Sequence, residues 1–200
     1  MELDKFNRIF NPIINYFSVL ASNHAKLIAT WFGCGSARFM PGTFGSMGAF
    51  PLWVLFDSIF TNLIIPRVFI YSFWIILVIF LFFFGAKAAT VYSKAIEKHD
   101  PGEIVVDEVV GQLIALIFTR YFIYEVIPLD KITADTVFTI HILIAFTAFR
   151  ILDITKPLFI KSSERWFKEG YGIMIDDVVA GLVAAVIIDF AVVIFMMLFS

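Results

Sequence analysis

Two stretches place adjacent carboxylates directly before apolar runs: Asp107 and Glu108 in IVVDEVVGQLIALI (104–117), and Asp176 and Asp177 in IMIDDVVAGLVAAV (173–186). Set against each other, Asp107 pairs with Asp176, Glu108 with Asp177, and Gly111 with Ala180. Helical positions i, i+3, i+4 and i+7 share a face, so Asp107 lies above Gly111, and Asp177 above Gly181 and Ala184. Small residues beneath acids let two helices approach closely, which would bring all four carboxylates within reach of one another. Converging carboxylates repel unless a cation sits between them, and hard oxygen ligands that leave positions for water suit Mg2+ better than zinc. One such pair has a plainer reading: acids near a helix N-terminus complement its dipole, worth roughly 0.3–1 kcal/mol, and mark a membrane boundary. Repetition of the pair favours ion binding.

Three further clusters carry groups suited to a phosphate. In FRILDITKP (149–157) Arg150 and Lys156 flank Asp153. Arg forms paired hydrogen bonds to phosphate oxygens and Lys supplies a point charge, so this segment can set a phosphate beside a metal held by the acids. The same two cations would also serve to orient the chain in a membrane, and Pro157 predicts a helix end. PGTFGS (41–46) offers Gly42 and Gly45 for backbone freedom and the Thr43 and Ser46 hydroxyls ahead of an apolar run. That arrangement receives anions at helix N-termini, and it also makes ordinary turns and caps. In HDPGEIVVDE (99–108) Asp100 is a cap or an acid of the site, Pro101 suits a first helical turn, and Glu103 stands at capping-box spacing. His99 is a solvated loop histidine or a proton donor.

The composition says what scaffold holds these groups. Of 200 residues, 60% are hydrophobic and 18% aromatic, with a mean hydropathy of +0.92. A water-soluble domain of this size cannot hide so much apolar surface, so the reading is an all-α membrane protein. Apolar segments near 47–65, 68–86, 109–127, 136–152 and 178–199 each approach the ~20 residues that cross ~30 Å of hydrocarbon. They predict a bundle of about five transmembrane helices in one domain over 1–200. Asp57 interrupts the first segment and leaves a shorter or partly re-entrant helix open there. Residues 9–32, apolar but carrying Asn15, Asn23, His24 and Lys26, read as an interfacial amphipathic helix, so 1–35 is an interfacial segment and 36–200 the catalytic bundle.

With five spans, the N-terminal region and the loops 87–108 and 153–177 share one side. That side and its flanks hold all of the 15 basic residues except Arg67, Arg120 and Lys131, and the positive-inside rule makes it cytoplasmic. All four polar clusters fall there. The two acid-bearing helices then run in the same direction, with approximate two-fold character. A net charge of −2 argues against a nucleic-acid footprint, no zinc-type Cys/His cluster occurs, and one cysteine, Cys34, excludes an internal disulfide framework. The N-terminus mixes acidic and basic residues before a broken apolar stretch, a poor match to a cleavable signal. No feature predicts a protein partner.

At these motifs the sequence resembles the phosphatidylglycerophosphatase A family of bacterial membrane enzymes. GTFGS, HDPGEIVVDEVVGQ, FRILDITKP and GIMIDDVVAG occur in the family's order between about residues 41 and 181. The resemblance implies Mg2+-dependent hydrolysis of a membrane phospholipid, phosphatidylglycerophosphate, to phosphatidylglycerol and inorganic phosphate, at the cytoplasmic face of a bacterial inner membrane. On this reading Asp107, Glu108, Asp153, Asp176 and Asp177 bind one or two Mg2+ ions, and Asp100 is a further ligand or orients the others. Thr43, Ser46, Arg150 and Lys156 would hold the phosphate oxygens.

One departure is visible, because Leu158 and Phe159 stand where the family often has Trp-Pro. Attack by water and attack by a carboxylate both fit. Cys34 and Arg38 are too close for the Cys-x5-Arg phosphate loop. The Asp-Gly-x2-Ala-Arg run of CDP-alcohol phosphotransferases is absent, although a lipid phosphotransferase using similar metal chemistry is the enzyme alternative. A divalent-cation transporter also needs carboxylates, but nearer the bilayer midplane. Asp189 lies about 18 Å along its helix from Asp177, too far to share an ion.

Overall fold

All regular structure is helical among the described residues, 19–63, 65–126 and 133–199 of this computed structural model. In chain order, the short helix α1 (Pro41–Met47) continues through Gly48 into α2 (Ala49–Asn62). Then come α3 (Arg67–Ala95), α4 (Val106–Val126), α5 (Ala134–Thr155), the short α6 (Leu158–Ser163) and α7 (Gly170–Phe199). Four stretches are long and apolar enough to cross a membrane: Pro41–Asn62, Arg67–Ala95, Ala134–Thr155 and Gly170–Leu198. The fifth expected segment, 109–127, coincides with α4, and α4 is the central helix. Val106, Val109, Val110, Leu113, Ala115 and Leu116 are all fully buried. A helix apolar on every side is one enclosed by others, and α4 packs against α1, α2, α3, α5 and α7.

The first span starts earlier than its apolar run suggests. Pro41 opens α1 at a position where its missing N–H costs nothing, and Met40 before it takes a left-handed backbone, φ 51°. The join at Gly48 is set from outside: the Trp31 indole donates to the Gly48 carbonyl at 2.9 Å, and a Cβ on Gly48 would meet that same ring. Pro51 then falls in the first turn of α2, where it is tolerated. Asp57 does not break the helix. Arg120 donates to it from both Nε (2.9 Å) and Nη2 (2.7 Å), so the two charges neutralise each other between α2 and α4. Arg120 also lies over the Tyr124 ring, and a stack of Trp53 on Trp74 packs close by against the buried His141. Pairing of this kind is how an ionised residue is tolerated within a bundle.

The last span corrects an expectation that bears on the site. α7 begins at Gly170, eight residues before the apolar run at 178, so Asp176 and Asp177 sit in its second turn and its first turn holds no acid. They are 3% and 2% exposed. Acids that merely complement a dipole belong at the exposed first turn, and these do not. Asp107 and Glu108, by contrast, do occupy the first turn of α4. That helix starts at Val106 rather than at Pro101, because Glu103 is taken by the Tyr92 hydroxyl instead of capping. The intervening chain turns through Ile104 N–H to Pro101 C=O and is pinned by Val105 N–H to Ala29 C=O, each 2.9 Å.

Much of the expected interfacial helix at 9–32 lies outside the described residues. Residues 19–29 are helical, with Ala25 and Ala29 packed into a cluster with Ala86, Ala89 and Val106, while Leu20 and Leu27 on other faces are exposed.

α4 and α7 approach backbone to backbone. A Cβ on Gly111 would lie 2.6 Å from the Asp177 carbonyl oxygen, and one on Gly181 would lie 3.1 Å from the Gly111 carbonyl carbon. Neither neighbour is a side chain that can swing aside, so any larger residue must part the helices. Gly181→Val is expected to cost about 3 kcal/mol, read as a lowered midpoint of thermal unfolding in detergent micelles by circular dichroism. An unchanged midpoint would show that the contact tolerates a side chain.

Candidate active site

The close approach of α4 and α7 brings three carboxylates together. Asp107, Glu108 and Asp177 each offer one oxygen, and these oxygens all lie within 4.8 Å of one another. Asp107 Oδ1, Glu108 Oε2 and Asp177 Oδ2 are buried and make no hydrogen bond among the described residues. Buried carboxylate oxygens without donors are costly, and three together more so. Their chemistry, hard oxygen donors converging with nothing positive between them, fits a divalent cation of the Mg2+ type.

The five-carboxylate ligand set expected from sequence divides in two here. Asp153 is held by Arg150, whose Nη1 donates to Asp153 Oδ2 one helical turn on and to Ser46 Oγ at 3.2 Å. Asp176 is held by Lys156. The matched spacing of the two acid pairs therefore does not give matched surroundings: Glu108 and Asp177 offer oxygens close to one of Asp107, whereas Asp176 pairs with Lys156 at the end of α5. Lys156 caps α5 in a left-handed conformation, φ 39°, with its N–H on the Leu152 carbonyl at 2.8 Å, and Pro157 ends the helix as expected. Burial alone would depress the Lys156 ammonium, but Asp177, Asp176 and Asp153 outweigh it and hold the group above its ordinary value. It stays a cation at every pH an assay would use.

A cavity of about 380 Å³ opens over the three acids. Asp107, Glu108 and Asp177 line it together with Arg150, Asp153 and Lys156, and Thr43 and Gly42 form a wall. Gly42 lies against the site: a Cβ there would displace the Glu108 carboxylate tip and lie 3.2 Å from Arg150 Nη1, so a side chain at this position would push on the site's own groups. The PGTFGS segment is thus a helical turn laid against the site. Ser46 is fully buried, donates to the Gly42 carbonyl at 2.9 Å and accepts from Arg150, so its hydroxyl orients the guanidinium. Asp100, exposed and left-handed at φ 48°, stands at the cavity mouth. His99 lines neighbouring cavities instead.

Sequence reasoning overlooked Gln112. Its side chain is fully buried, one turn below Glu108 on the same face, and both amide atoms lack partners among the described residues. The available signal was a polar residue set within the apolar stretch that follows the acid pair, between Gly111 and Leu113. Met40, Ile104 and Ile154 also line the cavity, and nothing in their types announced it.

Comparisons with known proteins show the family to which the chain belongs. A family model described as phosphatidylglycerophosphatase A matches residues 27–192. The chain is 35% identical over 169 residues to the phosphatidylglycerophosphatase A of Escherichia coli K12, covering 84% of each chain. It is 31% identical over 166 residues to the Haemophilus influenzae protein of the same name, covering 83% of this chain and 87% of that one. A Bacteroides thetaiotaomicron protein provisionally named a phosphatidylinositol-3-phosphatase is 34% identical over 167 residues, covering 82% of this chain and 91% of its own. No solved structure matches the chain. With its motifs gathered around one cavity and the family model spanning most of its length, the chain belongs to the phosphatidylglycerophosphatase A family.

Proposed function

We propose that the protein is a Mg2+-dependent phosphatase that hydrolyses phosphatidylglycerophosphate to phosphatidylglycerol and inorganic phosphate. The observation that carries this reading is the trio of Asp107, Glu108 and Asp177, with unpartnered buried oxygens at the floor of a cavity walled by Arg150 and Lys156. Those three acids would hold the ion, which when bound neutralises phosphoryl charge and activates water. Arg150, fixed by Asp153 and Ser46, presents its remaining N–H groups to the non-bridging oxygens, and Lys156 adds a second positive charge from the end of α5. Thr43 offers a hydroxyl from the opposite wall. Asp100 at the mouth is placed to orient water entering from the aqueous side. Phosphoryl transfer depends chiefly on positioning and charge stabilisation, and this set supplies both.

The topology in this reading has five spans with α4 as the enclosed one, the N-terminal segment along the interface, and the cavity at the cytoplasmic face of a bacterial inner membrane. The excess of basic residues on that side supports it. A terminal phosphomonoester on a lipid headgroup would reach a cavity at the end of the bundle. A transport site belongs nearer the midplane, and the acid within the first span, Asp57, is already neutralised by Arg120.

The test is phosphate release by purified protein from phosphatidylglycerophosphate, with phosphatidylinositol 3-phosphate in parallel because one relative's name points there. Turnover of the first at least tenfold faster is expected. Faster turnover of the second would reassign the substrate, and cation movement across vesicles without phosphate release would replace the enzyme reading.

A further inference from the structure

Gln112 lies one helical turn beyond Glu108 on α4 and takes no part in holding the ion or the phosphate. Its side chain is fully buried, and neither Oε1 nor Nε2 has a hydrogen-bond partner among the described residues. A buried amide without a partner is costly, and an apolar residue of the same size avoids that cost, so its presence calls for a partner.

The groups around it narrow the choice. One turn deeper on its face stand Ala115 and Leu116, both apolar and fully buried. Two turns deeper Thr119 is committed, donating to the Ala115 carbonyl at 2.7 Å and pairing with His141 Nε2 at 3.0 Å. Ser46 on the neighbouring α1 is committed as well, to the Gly42 carbonyl and to Arg150. In the other direction stands Glu108, whose Oε2 is buried and equally without a partner among the described residues. Residues four apart on a helix have Cβ atoms about 5–6 Å apart, and their Cα–Cβ bonds tilt toward the N-terminus. Gln112 therefore leans toward Glu108 and away from the apolar turn beneath it. Its amide is a donor without an acceptor, Glu108 Oε2 is an acceptor without a donor, and the terminal torsions of both side chains are soft enough to join them.

We propose that Gln112 is a positioning residue of the ion site: its amide N–H donates to Glu108 Oε2 and fixes that carboxylate toward Asp107 and Asp177. A carboxylate oxygen has two lone-pair directions, so Oε2 can accept this hydrogen bond and still face the ion. Ligating carboxylates are commonly held by hydrogen bonds from groups that do not touch the metal. The echo between the two acid-bearing helices breaks at this place. Gln112 follows Glu108 by four residues, whereas the residue four after Asp177 is Gly181, which closes on the Gly111 backbone and leaves no room for a side chain. Only α4 carries the brace. The inference rests on the metal-dependent reading of the site and deepens it.

The test compares wild type with Gln112→Met and Gln112→Leu, apolar residues of similar size, by thermal unfolding in detergent micelles across a Mg2+ titration. A Mg2+-dependent rise in the wild-type melting temperature checks the underlying reading by itself, and its absence would sink both. In the variants the Kd for Mg2+ fitted to that rise should be at least about tenfold weaker, with melting in chelator near that of wild type. At saturating Mg2+, phosphate release from phosphatidylglycerophosphate should return to within about threefold of wild type. An unchanged Kd would overturn the proposal, and a fall in chelator melting alongside it would mark a residue that only packs. Failure of both variants to fold in chelator would overturn it too, because a brace on Glu108 is not needed for the fold. Lost phosphate release that saturating Mg2+ does not restore would place Gln112 on the reacting groups instead, and so contradict it.

Discussion

Asp177→Asn is expected to reduce phosphate release by about a thousandfold while leaving the ion-free protein at least as stable as wild type. The two halves of this result have one cause. Asp177 contributes a buried oxygen within 4.8 Å of oxygens from Asp107 and Glu108. Buried carboxylates held that close disfavour one another's ionisation and have no cation between them to offset it in the ion-free protein. Replacing one carboxylate by an amide of the same shape relieves that repulsion, so the melting temperature in chelator should be no lower than that of wild type. It also removes a hard anionic ligand, and catalysis that depends on the ion falls by an amount that corresponds to about 4 kcal/mol of lost transition-state stabilisation. Added Mg2+ should raise the melting temperature of wild type and fail to raise that of the variant. A residue with a packing role would behave in the opposite way, with stability falling and activity following it. Scanning thermal unfolding with and without Mg2+ beside the release assay separates the two.

Arg150→Ala should lower activity at least a hundredfold and destabilise the fold by about 3 kcal/mol. The guanidinium and Asp153 are 13% and 9% exposed, and losing the cation strands a buried carboxylate and leaves Ser46 Oγ without its donor. Adding Asp153→Ala removes the stranded charge, so the double variant should regain most of the stability. It should not regain activity, because the cation beside the cavity is still missing. Arg150→Lys keeps a charge but cannot reach Asp153 and Ser46 with one planar fork, and intermediate activity is expected of it. Recovery of activity in the double variant would show that Arg150 serves only to neutralise Asp153.

How far the sequence carried is clearest at the acids. That Asp107, Glu108, Asp176 and Asp177 belong on two neighbouring helices follows from their echo and from the small residues behind them, and Gly111 and Gly181 do meet. The surroundings of each acid were not legible. Which acids converge and which pair with a cation depends on where α5 ends, and Lys156 reaches Asp176 because its left-handed cap turns the chain at that point. The same limit applies to Ser46: its type suggested a phosphate donor, but the helical turn that places Gly42 against Glu108 buries the hydroxyl beneath Arg150.

Helix starts were misplaced for a related reason. Hydropathy marks the apolar length of a segment, whereas α7 extends eight residues further, through Gly170, which packs against the Ala86 carbonyl and accepts no larger residue there. Asp57 looked like an interruption because its partner, Arg120, lies 63 positions away in sequence. Tertiary pairing of that kind leaves no local mark.

The most direct test of the metal site is a Mg2+ titration of phosphate release from phosphatidylglycerophosphate by the purified chelator-treated protein, run beside Asp107→Asn/Glu108→Gln/Asp177→Asn. Wild type should be inactive without the ion and saturate as it is added, and the triple variant should stay inactive at every concentration. Full wild-type activity in chelator, or a triple variant that titrates like wild type, would contradict the assignment of these three carboxylates as the ion's ligands.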